Sequence, residues 1–137
     1  MRNRLVLVLD TNVFVSALLF SNSAPAKVLK YAVETGDLMM SKSLFQELKE
    51  TLTLKKFDPY LATDERMQFL QILRSAVEFV EPQTKITMCR DVKDNHILEL
   101  AIETKASCIV TGDQDLLILN PFQNIPILRP REFLAFF

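Results

Sequence analysis

Five apolar residues in a row, Leu5-Val6-Leu7-Val8-Leu9, stop abruptly at Asp10. An unbroken apolar run of that length is the pattern of a strand covered on both faces, as in a parallel sheet. Shorter runs occur at Leu38-Met39-Met40, Cys108-Ile109-Val110 and Ile125-Pro126-Ile127-Leu128, the proline placing the last toward a sheet edge. Residues 77–80 are a weaker strand candidate. Between these runs the apolar positions take a helical period over 26–35, closed by Gly36, and over 44–54, 64–76 and 92–105. Parallel neighbours need crossover helices, so the alternation predicts an α/β domain with a mostly parallel sheet and helices on both faces. Lys55 to Tyr60 and Glu81-Pro82-Gln83 read as loops within it, and residues 1–137 read as a single domain.

Composition narrows the chemistry. With 49% hydrophobic and 24% charged residues the chain has enough apolar surface to fold, and a net charge of -1 gives no global basic footprint for nucleic acid or membrane. Gly36 and Gly112 are the only glycines, too few for a glycine-rich phosphate cradle. Cys89 and Cys108 lack the spacing of a zinc site, a lone His96 makes no histidine centre, and the two cysteines read as buried thiols of a reducing compartment. Arg2 and Arg4 ahead of Leu5–Leu9 and the apolar stretch 13–20 imitate a signal peptide, but Asp10-Thr11-Asn12 interrupts it. A charged Asp there costs about 2.5–3.5 kcal/mol on insertion scales, and no segment reaches about 20 apolar residues. The expected location is the cytoplasm.

Ligands of open parallel sheets bind beyond the carboxyl ends of the strands. Asp10 follows the first strand, while Asp113 and then Asp115 follow the strand ending at Val110. Glu47 flanks the apolar row Leu44, Leu48, Leu52, near the start of the helix after Met40. Asp94 shares a helix face with Leu98 and Ala101, so it points inward at a helix start beside the same rim. Taken singly, Asp91 and Asp94 suit a helix N-terminus, Asp113 and Asp115 suit a turn after Gly112, and Glu47 suits a solvated face. Taken together, carboxylates about 5 Å apart repel by roughly 3 kcal/mol per pair at an effective dielectric of 20. No obvious arginine lies among them, so a cation is required, and hard oxygen donors without His or Cys select Mg²⁺ or Mn²⁺. That is the chemistry of phosphodiester hydrolysis.

At these residues the chain resembles the PIN-domain family of metal-dependent ribonucleases, which includes the toxin halves of VapBC-type toxin–antitoxin modules. The resemblance rests on Leu-Val-Leu-Asp10-Thr11-Asn12-Val-Phe, on Asp91-Val-Lys-Asp94-Asn95-His-Ile-Leu-Glu-Leu-Ala and on Ile-Val-Thr111-Gly112-Asp113-Gln-Asp115-Leu-Leu, with Gln-Glu47-Leu as the second acidic position. It implies a three-layer α/β/α fold in which Asp10, Asp94 and Asp113 hold one or two Mg²⁺ or Mn²⁺ ions and Glu47 holds metal or orients an attacking water. It further implies that Asn12 and Thr111 support the site or orient phosphate, and that Asp115 supplements it. The activity so implied is endonucleolytic cleavage of single-stranded RNA, leaving 5′-phosphate and 3′-hydroxyl ends. A cognate antitoxin and a second copy of the chain are the implied protein partners, and no membrane is involved.

Lys55, Lys56, Arg90 and Lys93 are candidates to flank an RNA channel. Phe14, Phe20 and Phe57 fit a core at least as well as a stacking surface, and the apolar tail 133–137 fits either core closure or a partner contact. Two other readings stay open. A haloacid-dehalogenase-like phosphatase needs a second Asp where Asn12 stands, and an inactive PIN-like module would bind RNA or protein without cutting.

Overall fold

The computed structural model describes residues 4–137, and Arg2 of the signal-like segment lies outside the described residues. Strand β1 (Val6–Leu9) forms the centre of a five-stranded sheet. The others are β2 (Asp37–Met40), β3 (Glu78–Phe79), β4 (Cys108–Val110) and β5 (Ile127–Leu128), in the order β3-β2-β1-β4-β5. All four pairings are parallel. Leu7, Val8 and Leu9 are each at most 2% exposed although they alternate between faces, so both faces of β1 are covered. The α/β/α sandwich follows from that continuous apolar run. The strand after Pro126 is an edge strand of two residues, as the proline requires.

Seven α-helices connect and flank these strands among the described residues. Helices α2 (Ala24–Glu34), α3 (Lys42–Leu52), α4 (Thr63–Ala76) and α5 (Val92–Thr104) occupy the four periodic segments. Three helices escape periodicity. The apolar stretch after Asp10 forms α1 (Thr11–Leu19), with Val13, Phe14, Val15 and Ala17 buried. Apolar residues nearly all round mark a buried helix and blur the amphipathic signal. Helix α6 (Gln114–Leu117) is a single turn, and α7 (Pro130–Phe136) is made from the apolar tail, burying Phe133 while Phe136 and Phe137 stay exposed. Phe14 and Phe57 are core residues and Phe20 is exposed. Of the two thiols expected to be buried, Cys108 is and Cys89 is half-buried.

A buried arginine unforeseen in the sequence organises the α3–α4 connection. Arg66, 1% exposed, donates from Nη1 to the carbonyls of Leu52 (2.9 Å) and Leu54 (3.1 Å) and from Nη2 to Asp58 (2.5 Å) and Thr63 Oγ1 (3.1 Å). It thus places a cation at the C-terminal end of α3, where carbonyls lack helical partners. Arg66→Met should lower unfolding free energy by about 2–3 kcal/mol in urea melts, because the carbonyls lose charged donors. A loss under 0.5 kcal/mol would show that the connection holds without it.

Lys55 and Lys56 lie in the short 3-10 turn Lys55–Phe57, past the C-terminal end of α3. An eleven-residue helix is about 16 Å long, so these lysines stand a helix length from the α3 N-terminus and about half a helix length or more beyond Glu47. No helix among the described residues is long and apolar enough to cross a membrane.

Candidate active site

The strand order reverses at the centre of the sheet: the chain moves from β1 outward through β2 to β3, then returns to place β4 on the other side of β1. The crevice between the carboxyl ends of β1 and β4 is therefore the topological switch point. Asp10 leaves β1 there, and its amide extends the ladder to the carbonyl of Val110 at 3.0 Å. Thr111 leaves β4 beside it.

Asp10 is the N-cap of α1 by backbone geometry, yet its side chain caps nothing. An N-cap carboxylate normally accepts from the first helical turn, which is worth about 0.5–2 kcal/mol. Here it instead accepts from the Thr111 hydroxyl (Oδ2, 2.8 Å), with the Thr11 hydroxyl 3.4 Å from Oδ1. The same Thr111 oxygen accepts from the Asp113 backbone N–H at 3.0 Å. One fully buried hydroxyl thus ties the end of β1 to the turn after β4. Asp113 turns Oδ1 onto the Asp115 N–H (3.0 Å), capping α6, so its turn chemistry is real and leaves its other oxygen available. Asp115 is exposed and meets Arg90 at 3.9 Å. That contact brings Arg90, a candidate flank of an RNA channel, to the rim beside the carboxylates.

Asp94 sits in the first turn of α5, 2% exposed, with Leu98 and Ala101 buried below it. Asp91 takes the capping duty for this helix, accepting from the Lys93 N–H at 3.1 Å. Burial first, then the carboxylates of Asp113, Asp91 and Asp10, push the Asp94 carboxyl up to about 6, against the pull of Lys93. Glu47 lies midway along α3, not near its start, and is half-buried. Burial raises its pKa, opposed by the Thr11 hydroxyl and Lys93 and aided by Asp10 and Asp91. A hydroxyl has one proton to give, so Thr11 serves Asp10 or Glu47, one at a time. Asn12 is exposed on the first turn of α1.

Asp94 therefore feels the charge of both Asp10 and Asp113. Yet among the described residues no three His, Cys, Asp or Glu stand as a group able to hold a metal ion. Asp113 Oδ1 is engaged by the Asp115 N–H, which draws that carboxylate toward α6. The donor set, all carboxylate and hydroxyl oxygen around Asp94, suits a hard divalent cation.

The segment leading into α5 was not legible as part of the site. Residues 83–89 have no strand partner, so their amides need acceptors elsewhere. Three side chains spaced by four on α5 supply them: Glu103 accepts from Gln83 N–H (2.8 Å), Glu99 from Ile86 N–H (2.8 Å) and Asn95 from Cys89 N–H (2.8 Å). The Asn95 amide also donates back to the Cys89 carbonyl at 3.1 Å. The strap so fixed carries Met88, Cys89 and Arg90 to a cavity of about 170 Å³ that shares Asp94 and Asp115 with the rim. The signal was the row Asn95, Glu99, Glu103, polar at helical spacing with its first two members buried.

Comparison with known proteins agrees with the fold. "Uncharacterized protein MJ1680" of Methanocaldococcus jannaschii is 33% identical, over 98% of this chain and 92% of its own length. Among solved structures, VapBC2 from Rickettsia felis bound to a DNA fragment from their promoter superposes with a TM-score of 0.63 at 16% identity, covering 89% of this chain and 96% of that one. PAE2754 from Pyrobaculum aerophilum (0.63, 14%, 96% and 88%) and VapBC-1 from nontypeable Haemophilus influenzae (0.63, 14%, 92% and 98%) share the same fold. Residues 6–115, from the start of β1 to the capping turn of α6, match the PIN domain, and the chain belongs to the PIN-domain family.

Proposed function

We propose that this protein is a Mg²⁺- or Mn²⁺-dependent endoribonuclease acting on single-stranded RNA, the toxin half of a toxin–antitoxin pair. The observation that carries the reading is the buried Thr111 hydroxyl, which joins Asp10 to the Asp113 turn at the switch point beside Asp94. A buried carboxylate that forgoes its cap and a second one pushed up to about 6 are costly features for a fold to keep without a cation to face. Asp10, Asp94 and Asp113 are the residues to hold the ion, which when bound supplies positive charge to a phosphate and to the attacking water. Thr111 keeps Asp10 aimed at the crevice, Thr11 steadies Asp10 or Glu47, and Glu47 orients the water by accepting its proton through a hydrogen bond. Asn12, exposed on the first turn of α1, orients the phosphate, and the exposed Asp115 supplements the acidic set.

An antitoxin protein and a second copy of the chain are the proposed partners, with the cytoplasm as the setting. Val33 and Ile72, exposed on α2 and α4, are apolar surface free to meet either. The spread of the acidic side chains favours one rival, a PIN-like module that binds without cutting. Thermal melts of the purified chain in EDTA and in millimolar Mn²⁺, with cleavage of a labelled single-stranded RNA in the same buffers, separate the two. The nuclease should gain several degrees and cut only with Mn²⁺. Equal cutting in excess EDTA, or a melt indifferent to Mn²⁺, would reject it.

A further inference from the structure

Exposed apolar side chains are ordinary when scattered, and informative when they crowd a charged cleft. Met88 on the strap and Ile118 at the end of α6 are 61% and 68% exposed, and both line the cavity that also holds Arg90, Asp94 and Asp115. Their placement is not slack: the Asn95 amide grips Cys89 by both backbone groups, and Ile118 is held by its N–H to the Gln114 carbonyl at 3.1 Å. The cavity is therefore lined by two apolar side chains on hydrogen-bonded backbone and shares Asp94 with the acidic centre.

We propose that this cavity is a nucleobase subsite for the RNA nucleotide adjoining the scissile phosphate, an assignment that rests on the nuclease reading above. Met88 and Ile118 pack against the base, the thioether making the sulfur–ring contact favoured by methionine. The Arg90 guanidinium, 94% exposed and only loosely paired at 3.9 Å with Asp115, turns to the neighbouring phosphate. Contact with aliphatic faces accepts any base, so the subsite adds affinity with little sequence choice. A single strand is required, because a base reaches the cavity only when unstacked.

The test uses the full chain with Mn²⁺ and a ten-nucleotide single-stranded RNA carrying 2-aminopurine, or an abasic residue, at successive positions. At one position beside the cleaved bond, 2-aminopurine fluorescence should change on binding and the abasic residue should raise KM about tenfold. Met88→Ser with Ile118→Ser, both at exposed positions, should raise KM for intact RNA about tenfold with kcat within about twofold. In that variant the abasic residue should cost nothing further. Wild-type cleavage with a flat abasic scan, or a double variant with unaltered KM, would overturn the subsite and assign the apolar pair to a protein contact. No binding and no cleavage by the wild type would overturn the nuclease reading, and the subsite with it.

Discussion

Asp10→Asn is expected to lower Mn²⁺-dependent RNA cleavage by about 10³-fold or more, equivalent to about 4 kcal/mol of transition-state stabilisation, while the fold survives. Asn keeps the shape of Asp and an oxygen that accepts from Thr111, so the link between β1 and the turn after β4 persists. It removes the negative charge closest to the strand end, and with it the attraction that holds a divalent ion. The Mn²⁺-induced rise in melting temperature should vanish with the activity, and melts in EDTA should match or exceed those of the wild type because one like-charge repulsion is gone. Cleavage within about tenfold of wild type would show that Asp10 holds no essential ion.

The second large effect concerns Asp94 and pH. Its carboxyl titrates near 3.8 when unperturbed and at about 6 in the fold, raised by burial first and then by Asp113, Asp91 and Asp10. The folded chain therefore keeps a proton that the unfolded chain releases, and metal-free stability falls as pH rises from 3.8 through about 6. The crevice opens to water, so we expect about 1–2 kcal/mol of loss, less than the full shift implies. Asp94→Asn carries no such charge. In urea melts with EDTA it should equal the wild type near pH 3.5 and exceed it by about 1–2 kcal/mol at pH 8. Mn²⁺ reverses the preference, since cation and proton compete for one carboxylate, and its stabilisation of the wild type should grow between pH 5 and pH 7.5. A difference between the two proteins that ignores pH would remove Asp94 from the charged cluster.

Much of this molecule is legible without coordinates. The run Leu5–Leu9 encodes a doubly covered strand because strand burial is a local pattern, and the rows Leu44, Leu48, Leu52 and Asp94, Leu98, Ala101 turn inward as helical spacing demands. Helix α1 escaped because a buried helix has no polar face to set its period, and α6 and α7 because one or two turns carry too few positions. Glu47 was set near a helix start because the apolar period begins at Leu44, whereas the Ser41 cap starts α3 at Lys42 and leaves Glu47 midway along it.

What the sequence determined by itself is which side chains end the strands and begin the helices, since burial period and capping preference act over a few residues. What only the tertiary structure decided is which of those ends meet. Thr111 reaches Asp10 across 101 positions because β4 returns to lie beside β1, a choice of strand order that no local period encodes. The strap on α5 is of the same kind: its amides found Asn95, Glu99 and Glu103 only because the fold left them no strand to join.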